Sequence, residues 1–268
     1  MKPDTFEFVK MHGAGNDFVL VDDREGKFPV DDHRRIASFA SRPDGIGCDG
    51  VIIVRKSGTA DFKMRFFNPD GTEADLCGNG ARCVAAFALA VGAAPGPRMR
   101  FETSAGVVEA EVSGDGTVKV SMPDPRDIGD DFAVCGVPHK IVPVENLART
   151  DVVSEGRRIR LDPEYAPDGT NVNFVKYRPP SRASIRTYER GVEGETLACG
   201  TGATAAAVVG VKDYGLSFPV RITTLAGYEL VVDGVYDGVK FSSMTLTGPV
   251  KKTFEGRIDW NALDAVSE

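Results

Sequence analysis

A chain of 268 residues, 42% hydrophobic and 26% charged, has ordinary globular composition and is long enough for one large domain or two of about 130 residues. A net charge of −7 without a dense Lys/Arg run speaks against nucleic acid or an acidic membrane surface as the main partner, so a small solute is expected. No stretch approaches the roughly 18 uninterrupted apolar residues of a membrane helix, and the first ten residues lack the apolar core of a signal peptide, which predicts a cytoplasmic protein with no membrane contact.

In chain order, short β-branched or aromatic runs bounded by Gly, Asp or Pro predict strands. In the first half these are GNDFVLVDD, DGVIIVRK, DFKMRFFN, MRFETSAG, GVVEAEVS and TVKVSM. In the second half they are HKIVPVEN, RRIRLD, NVNFVKYR, ASIRTYER, VRITTLAG, YELVVDG and VKFSSMTL. Three helices are predicted, over Asp31 to Ser41, Gly78 to Val91 and Gly200 to Lys212; the last two are rich in Ala and Val and apolar nearly all round, as a helix enclosed by a curled sheet should be.

The chain repeats itself. FFNPDGTEADLCGNGARCVAAFALAVG around Cys77 is echoed by TYERGVEGETLACGTGATAAAVVGVKDYG around Cys199, 122 positions on. Each copy has a Glu four residues before the cysteine (Glu73, Glu195), a CGxGA core and a helix of small residues. The offset persists within one residue downstream, where Ala105-Gly106 is echoed by Ala226-Gly227, 121 positions on. Two homologous halves follow, 1–122 carrying Cys77 and 123–255 carrying Cys199, with a tail, 256–268, packing back on the first half. The expected class is α+β: two pseudo-symmetric, mainly antiparallel, barrel-like domains, each around a central helix with a thiol at its N-terminus.

A helix N-terminus offers unpaired N–H groups and about half a positive charge, which bind anions and favour a thiolate. CGNG and CGTG provide that setting twice, and their glycines let a ligand approach the backbone. Two such halves facing each other across a cleft would suit a two-base proton transfer that inverts a carbon centre, one thiolate removing a proton and the opposite thiol returning one. Five cysteines, an odd number with no CxxC pair, and only three histidines argue against a disulfide framework and a zinc site. Cys48, Cys83 and Cys135 are not duplicated and read as buried apolar side chains. Taken singly, His139 is a core or surface histidine, Asn16 a turn residue, and Glu189-Arg190 an exposed edge pair. The pair gains weight by standing as far before Cys199 as Phe67-Asn68 stand before Cys77.

KMHGAGNDFVLVD, FFNPDGTEADLCGNGARC, GVPH, GTNVNFV and YERGVEGETLACGTGA, in that order over nearly the whole chain, resemble the diaminopimelate epimerase family. The resemblance implies a cofactor-independent isomerase that interconverts LL- and meso-2,6-diaminopimelate on the route to lysine and peptidoglycan precursors, frequently as a homodimer. By position it makes Cys77 and Cys199 the acid and base, with His139 and Glu189 tuning them and assisting proton traffic. It assigns substrate binding to Asn16, Asn68, Asn171, Glu189 and Arg190, and the N–H groups at the reacting carboxylate to Gly78, Asn79, Gly200 and Thr201. Arg190 offers a planar fork for the distal carboxylate. Val137 and Gly50 depart from a common form of the family pattern, each replacing a polar contact with none. No lysine sits in a phosphate-binding loop, so no pyridoxal phosphate is expected. The rivals are a proline or hydroxyproline racemase, which carries a CGH-type first motif instead, and a thiol-switch protein that binds carboxylates without turnover. A Cys-His hydrolase would not explain the duplication.

Overall fold

The computed structural model describes residues 5–42, 44–74 and 77–263. The chain divides into two compact units, one formed by 1–120 with 250–268, the other by 121–249.

Unit 1 holds β1 (Thr5–Gly13), β2 (Asn16–Asp22), α1 (His33–Ala40), β3 (Gly50–Arg55), β4 (Phe62–Phe67), β5 (Glu73–Ala74), α2 (Gly78–Ala90), β6 (Arg98–Thr103), β7 (Gly106–Val112) and β8 (Thr117–Ser121). β1 pairs antiparallel with β2, which runs parallel to β3; β4 pairs antiparallel with β3 and β5 and parallel with β6; β6, β7 and β8 form a meander. A parallel pair needs a crossover, and α1 and α2 supply the two that this pattern requires. β3 is buried along Gly50–Val54, as a strand covered on both faces should be.

Unit 2 repeats the pattern with β9 (Arg126–Gly129), β10 (Phe132–Cys135), β11 (Val137–Pro143), α3 (Val152–Arg160), β12 (Asn171–Arg178), β13 (Arg182–Glu189), β14 (Gly194–Thr196), α4 (Gly200–Asp213), β15 (Val220–Thr223), β16 (Glu229–Tyr236) and β17 (Phe241–Asp259). β11 runs parallel to β12 and β13 parallel to β15, with antiparallel partners around them. The registers superimpose: Phe18 faces Gly50 and Ile52 faces Phe66, while His139 faces Asn171 and Asn173 faces Thr187.

The expected α+β architecture is present, and α2 and α4 are the enclosed helices, buried from Gly78 to Ala85 and from Gly202 to Gly210. Two expectations fail. RRIRLD, read as a strand from its alternation, lies in and just after α3, which the Asp151 carboxylate caps through the Ser154 N–H at 3.1 Å. Gly156 lets this helix lie against Tyr188, whose Cβ would be 2.5 Å from a Cβ at position 156. The second correction concerns the chain's end. The repeat predicts a second half that runs to residue 255, but the chain returns to unit 1 at Val250, where β17 pairs with β1 from Val250 to Asp259. Trp260 then closes the unit 1 core against Phe6 and Phe28, with ring centroids 5.7 and 4.9 Å away. Of the tail, 264–268 lies outside the described residues.

Candidate active site

In unit 1, Cys77 is the N-cap of α2, with φ −120° and ψ 118°. The β1–β2 hairpin presses onto this first helical turn: a Cβ on Gly13 would come within 2.8 Å of the Asn79 carbonyl, and Ala14 takes a left-handed φ of 55° to make the turn. The hairpin carries Asn16 to Asn79, and a polar chain results. The Asn16 amide donates to Asp49 Oδ2 at 3.2 Å, Asn79 Nδ2 donates to Asn16 Oδ1 at 2.7 Å, and Arg82 Nη2 donates to Asn79 Oδ1 at 2.8 Å. A carboxylate only accepts and a guanidinium only donates, so both amides between them have one satisfying orientation. Arg82 is fully buried and also donates to the Gly78 carbonyl. Asn68 stands apart from this chain, in the turn after β4, where its amide donates to Thr72 Oγ1 at 3.1 Å.

In unit 2, Cys199 caps α4 with nearly the same backbone, φ −120° and ψ 113°, and its Sγ accepts from the Gly202 N–H at 3.4 Å and lies 3.4 Å from Thr201 Oγ1. Asn171 Oδ1 accepts the Arg190 backbone N–H at 2.7 Å, fixing the end of β13, where Glu189 is the last paired residue and Arg190 follows it out of the sheet. The Arg190 guanidinium has no hydrogen-bond or ion-pair partner among the described residues, so its planar fork of donors is uncommitted. His139 is fully buried, and burial, with the Arg190 cation second, pushes it down to about 3, so its imidazole is neutral at physiological pH.

Two features went unread in the sequence. Glu73 and Glu195, noted only as repeat markers, each close a two-pronged ion pair with an arginine on the preceding strand: Arg65–Glu73 at 2.7 and 2.8 Å, Arg186–Glu195 at 2.6 and 2.8 Å. These pairs brace β5 and β14, the short strands that precede the two cysteines in sequence. The other is Asn173, fully buried beside His139. Aligning the halves exposes it, because Phe18, Ile52 and Phe66 in unit 1 become His139, Asn173 and Thr187 in unit 2, all buried. Polar groups at apolar core positions cost stability unless hydrogen-bonded, so such an exchange signals function. The departure at Gly50 has a packing cause, since a Cβ there would lie 2.4 Å from Phe66 Cε2. Cys48, Cys83 and Cys135 are buried and their thiols pushed up to about 12 by that burial, which keeps them protonated and unreactive.

The diaminopimelate epimerase family model matches residues 8–128 and 132–253. The chain is 42% identical to a diaminopimelate epimerase of Aquifex aeolicus, over 96% of this chain and 99% of the relative, and 41% identical to one of Chlorobaculum tepidum, over 92% and 99%. Among solved structures it is similar to a phenazine biosynthesis protein of the PhzF family from Bacillus anthracis (TM-score 0.71, 18% identity, 95% of this chain and 99% of that one). It is also similar to a hydroxyproline epimerase from Agrobacterium vitis (TM-score 0.68, 18% identity, 96% and 94%). At these identities the structural likeness speaks for the fold alone.

Proposed function

The chain belongs to the diaminopimelate epimerase family, and from that premise we propose that it inverts one α-carbon of diaminopimelate by a two-base proton transfer between Cys77 and Cys199. It is an isomerase of LL- and meso-2,6-diaminopimelate. One thiolate takes the α-proton, the carbon's electron pair spreads into the adjacent carboxylate, and the other thiol returns a proton to the opposite face. The reverse reaction exchanges the roles. The observation that carries this reading is the repetition of one device: a cysteine N-capping a buried helix, with matching φ and ψ, in both units. Each helix terminus supplies N–H groups and partial positive charge where the carboxylate gains charge in the transition state.

Arg190 anchors the distal carboxylate, while Asn16, Asn68, Asn171 and Glu189 read the distal centre. Gly78, Asn79, Gly200 and Thr201 line the reacting end. No helix among the described residues is long and apolar enough to cross a membrane. A cytoplasmic homodimer is part of the same proposal. The test is incubation with LL-diaminopimelate in deuterated water, with stereoinversion and α-deuterium scored together. Inversion with solvent deuterium at the inverted carbon supports the scheme, and inversion without incorporation rules out proton exchange through thiols open to solvent.

A further inference from the structure

We infer that Asn173, held by Thr187 and the Lys140 carbonyl, is a positioning residue that locks His139 as the Nε2–H tautomer and so makes it a hydrogen-bond donor to negative charge, not a proton acceptor. The Asn173 Nδ2 group lies 3.1 Å from His139 Nδ1 and 3.2 Å from the Lys140 carbonyl oxygen. A carbonyl oxygen only accepts, so this end of the amide must be the NH2 group, and its second hydrogen meets Nδ1. At the other end, the Thr187 hydroxyl donates to Asn173 Oδ1 at 2.9 Å. Nδ1 is thus an acceptor, and in a neutral ring the proton sits on Nε2.

Nε2 is buried and has no partner among the described residues. An N–H donor left without an acceptor inside a core is costly, and such groups survive where a ligand or a developing charge completes them. The same three positions in unit 1 carry Phe18, Ile52 and Phe66, which pack there without any polar group. The fold therefore does not need the polar trio. Space for it comes from Gly202 on the first turn of α4, where a Cβ would lie 2.4 Å from Asn173 Oδ1. Gly202 also donates its N–H to Cys199 Sγ, so the triad adjoins the turn that holds the thiol.

The tautomer stands on geometry alone, whereas its bearing on turnover rests on the epimerase reading, and two measurements keep these apart. Protein labelled with 15N at histidine reports the tautomer without substrate. The expected wild-type spectrum has His139 protonated at Nε2 and bare at Nδ1. Asn173→Asp puts an acceptor-only carboxylate against Nδ1 and should move the proton there, giving Nδ1–H or the imidazolium. Thr187→Val should weaken the lock and Thr187→Ser should restore it. In parallel, Asn173→Asp should lower kcat for LL-diaminopimelate at least tenfold with KM within threefold of wild type. A wild-type His139 protonated at Nδ1 overturns the inference whether or not any variant folds. An unchanged tautomer in folded Asn173→Asp does so as well. Unchanged kcat with an inverted tautomer would leave the lock in place and remove its role in catalysis.

Discussion

Exchanging His139 for Gln should uncouple unit 2 stability from mild acid. The folded imidazole protonates only near pH 3, because charging it means placing a cation in the core beside Arg190, whereas in the unfolded chain it titrates near 6.5. Between those values the unfolded state binds one proton more than the folded state, so stability rises with pH across the window and is lost as pH falls through 6.5. From pH 7.5 to 5.0 the loss is about 2 kcal/mol, from RT ln(1 + 10^1.5) at the lower pH. All six tyrosines lie in unit 2 and the one tryptophan, Trp260, in unit 1, so tyrosine emission during urea unfolding reports on the unit that holds His139. Carboxylates titrate alike in both proteins and cancel in the difference. The stability gap between wild type and His139→Gln should therefore shrink by about 2 kcal/mol on going from pH 7.5 to 5.0. A gap constant within about 0.5 kcal/mol would mean that folded His139 protonates normally, refuting the description of its pocket.

Cys77→Ala and Cys199→Ala should each abolish epimerisation with unfolding transitions near wild type, and the double variant should lose little more, since acid and base serve one cycle. Arg190 should give the enzyme a preference for diaminopimelate over lysine of roughly a thousandfold in kcat/KM, about 4 kcal/mol; Arg190→Ala should narrow it, and an undiminished preference would place the anchor elsewhere. Asp49→Asn removes the acceptor-only end of the Asp49–Asn16–Asn79–Arg82 chain and should raise KM several-fold with kcat little changed, while Asp49→Glu restores it. Gly202→Ala should lower stability by about 1–3 kcal/mol in thermal or urea unfolding because Asn173 must give way, and Gly80→Ala by less, its nearest neighbour being the end of the Ile52 side chain at 3.1 Å.

Much of this was legible because duplication writes the fold twice. The CGNG and CGTG turns, the two apolar helices and most strands stand out by pattern, since burial on one or both faces leaves a period in the residues. α3 did not, because its Arg-Ile-Arg-Leu end alternates like a strand while its capping Asp151 and the packing of Gly156 on Tyr188 depend on tertiary contact. Yet α3 is the counterpart of α1, and carrying the repeat through the intervening segment points to it. Asn173 escaped for a related reason. NVNFV offers two asparagines in one strand, and only their registers, Asn171 opposite His139 and Asn173 opposite Thr187, distinguish the one that holds the Arg190 N–H from the one whose amide meets the imidazole. The arginines facing Glu73 and Glu195 lie eight and nine residues earlier on neighbouring strands, a pairing that no local period reveals.

The path of β17 has a consequence for synthesis. The strand leaves unit 2 at Pro249 and continues to Asp259 along β1, then delivers Trp260 to Phe6 and Phe28. Unit 2 is one contiguous stretch, whereas unit 1, though its first 120 residues are made before it, lacks a strand partner for β1 and a core aromatic until residues 250–260 have been made. The customary order of folding from the N-terminus is reversed for its completion. A chain stalled or cut before Val250 keeps every residue of unit 2 and both cysteines, yet holds β1 with an open edge and the Phe6–Phe28 pair uncovered, the kind of surface that pairs with other chains. Quality control for this enzyme thus falls on β17, and the two halves of its duplicated architecture are unequal in time.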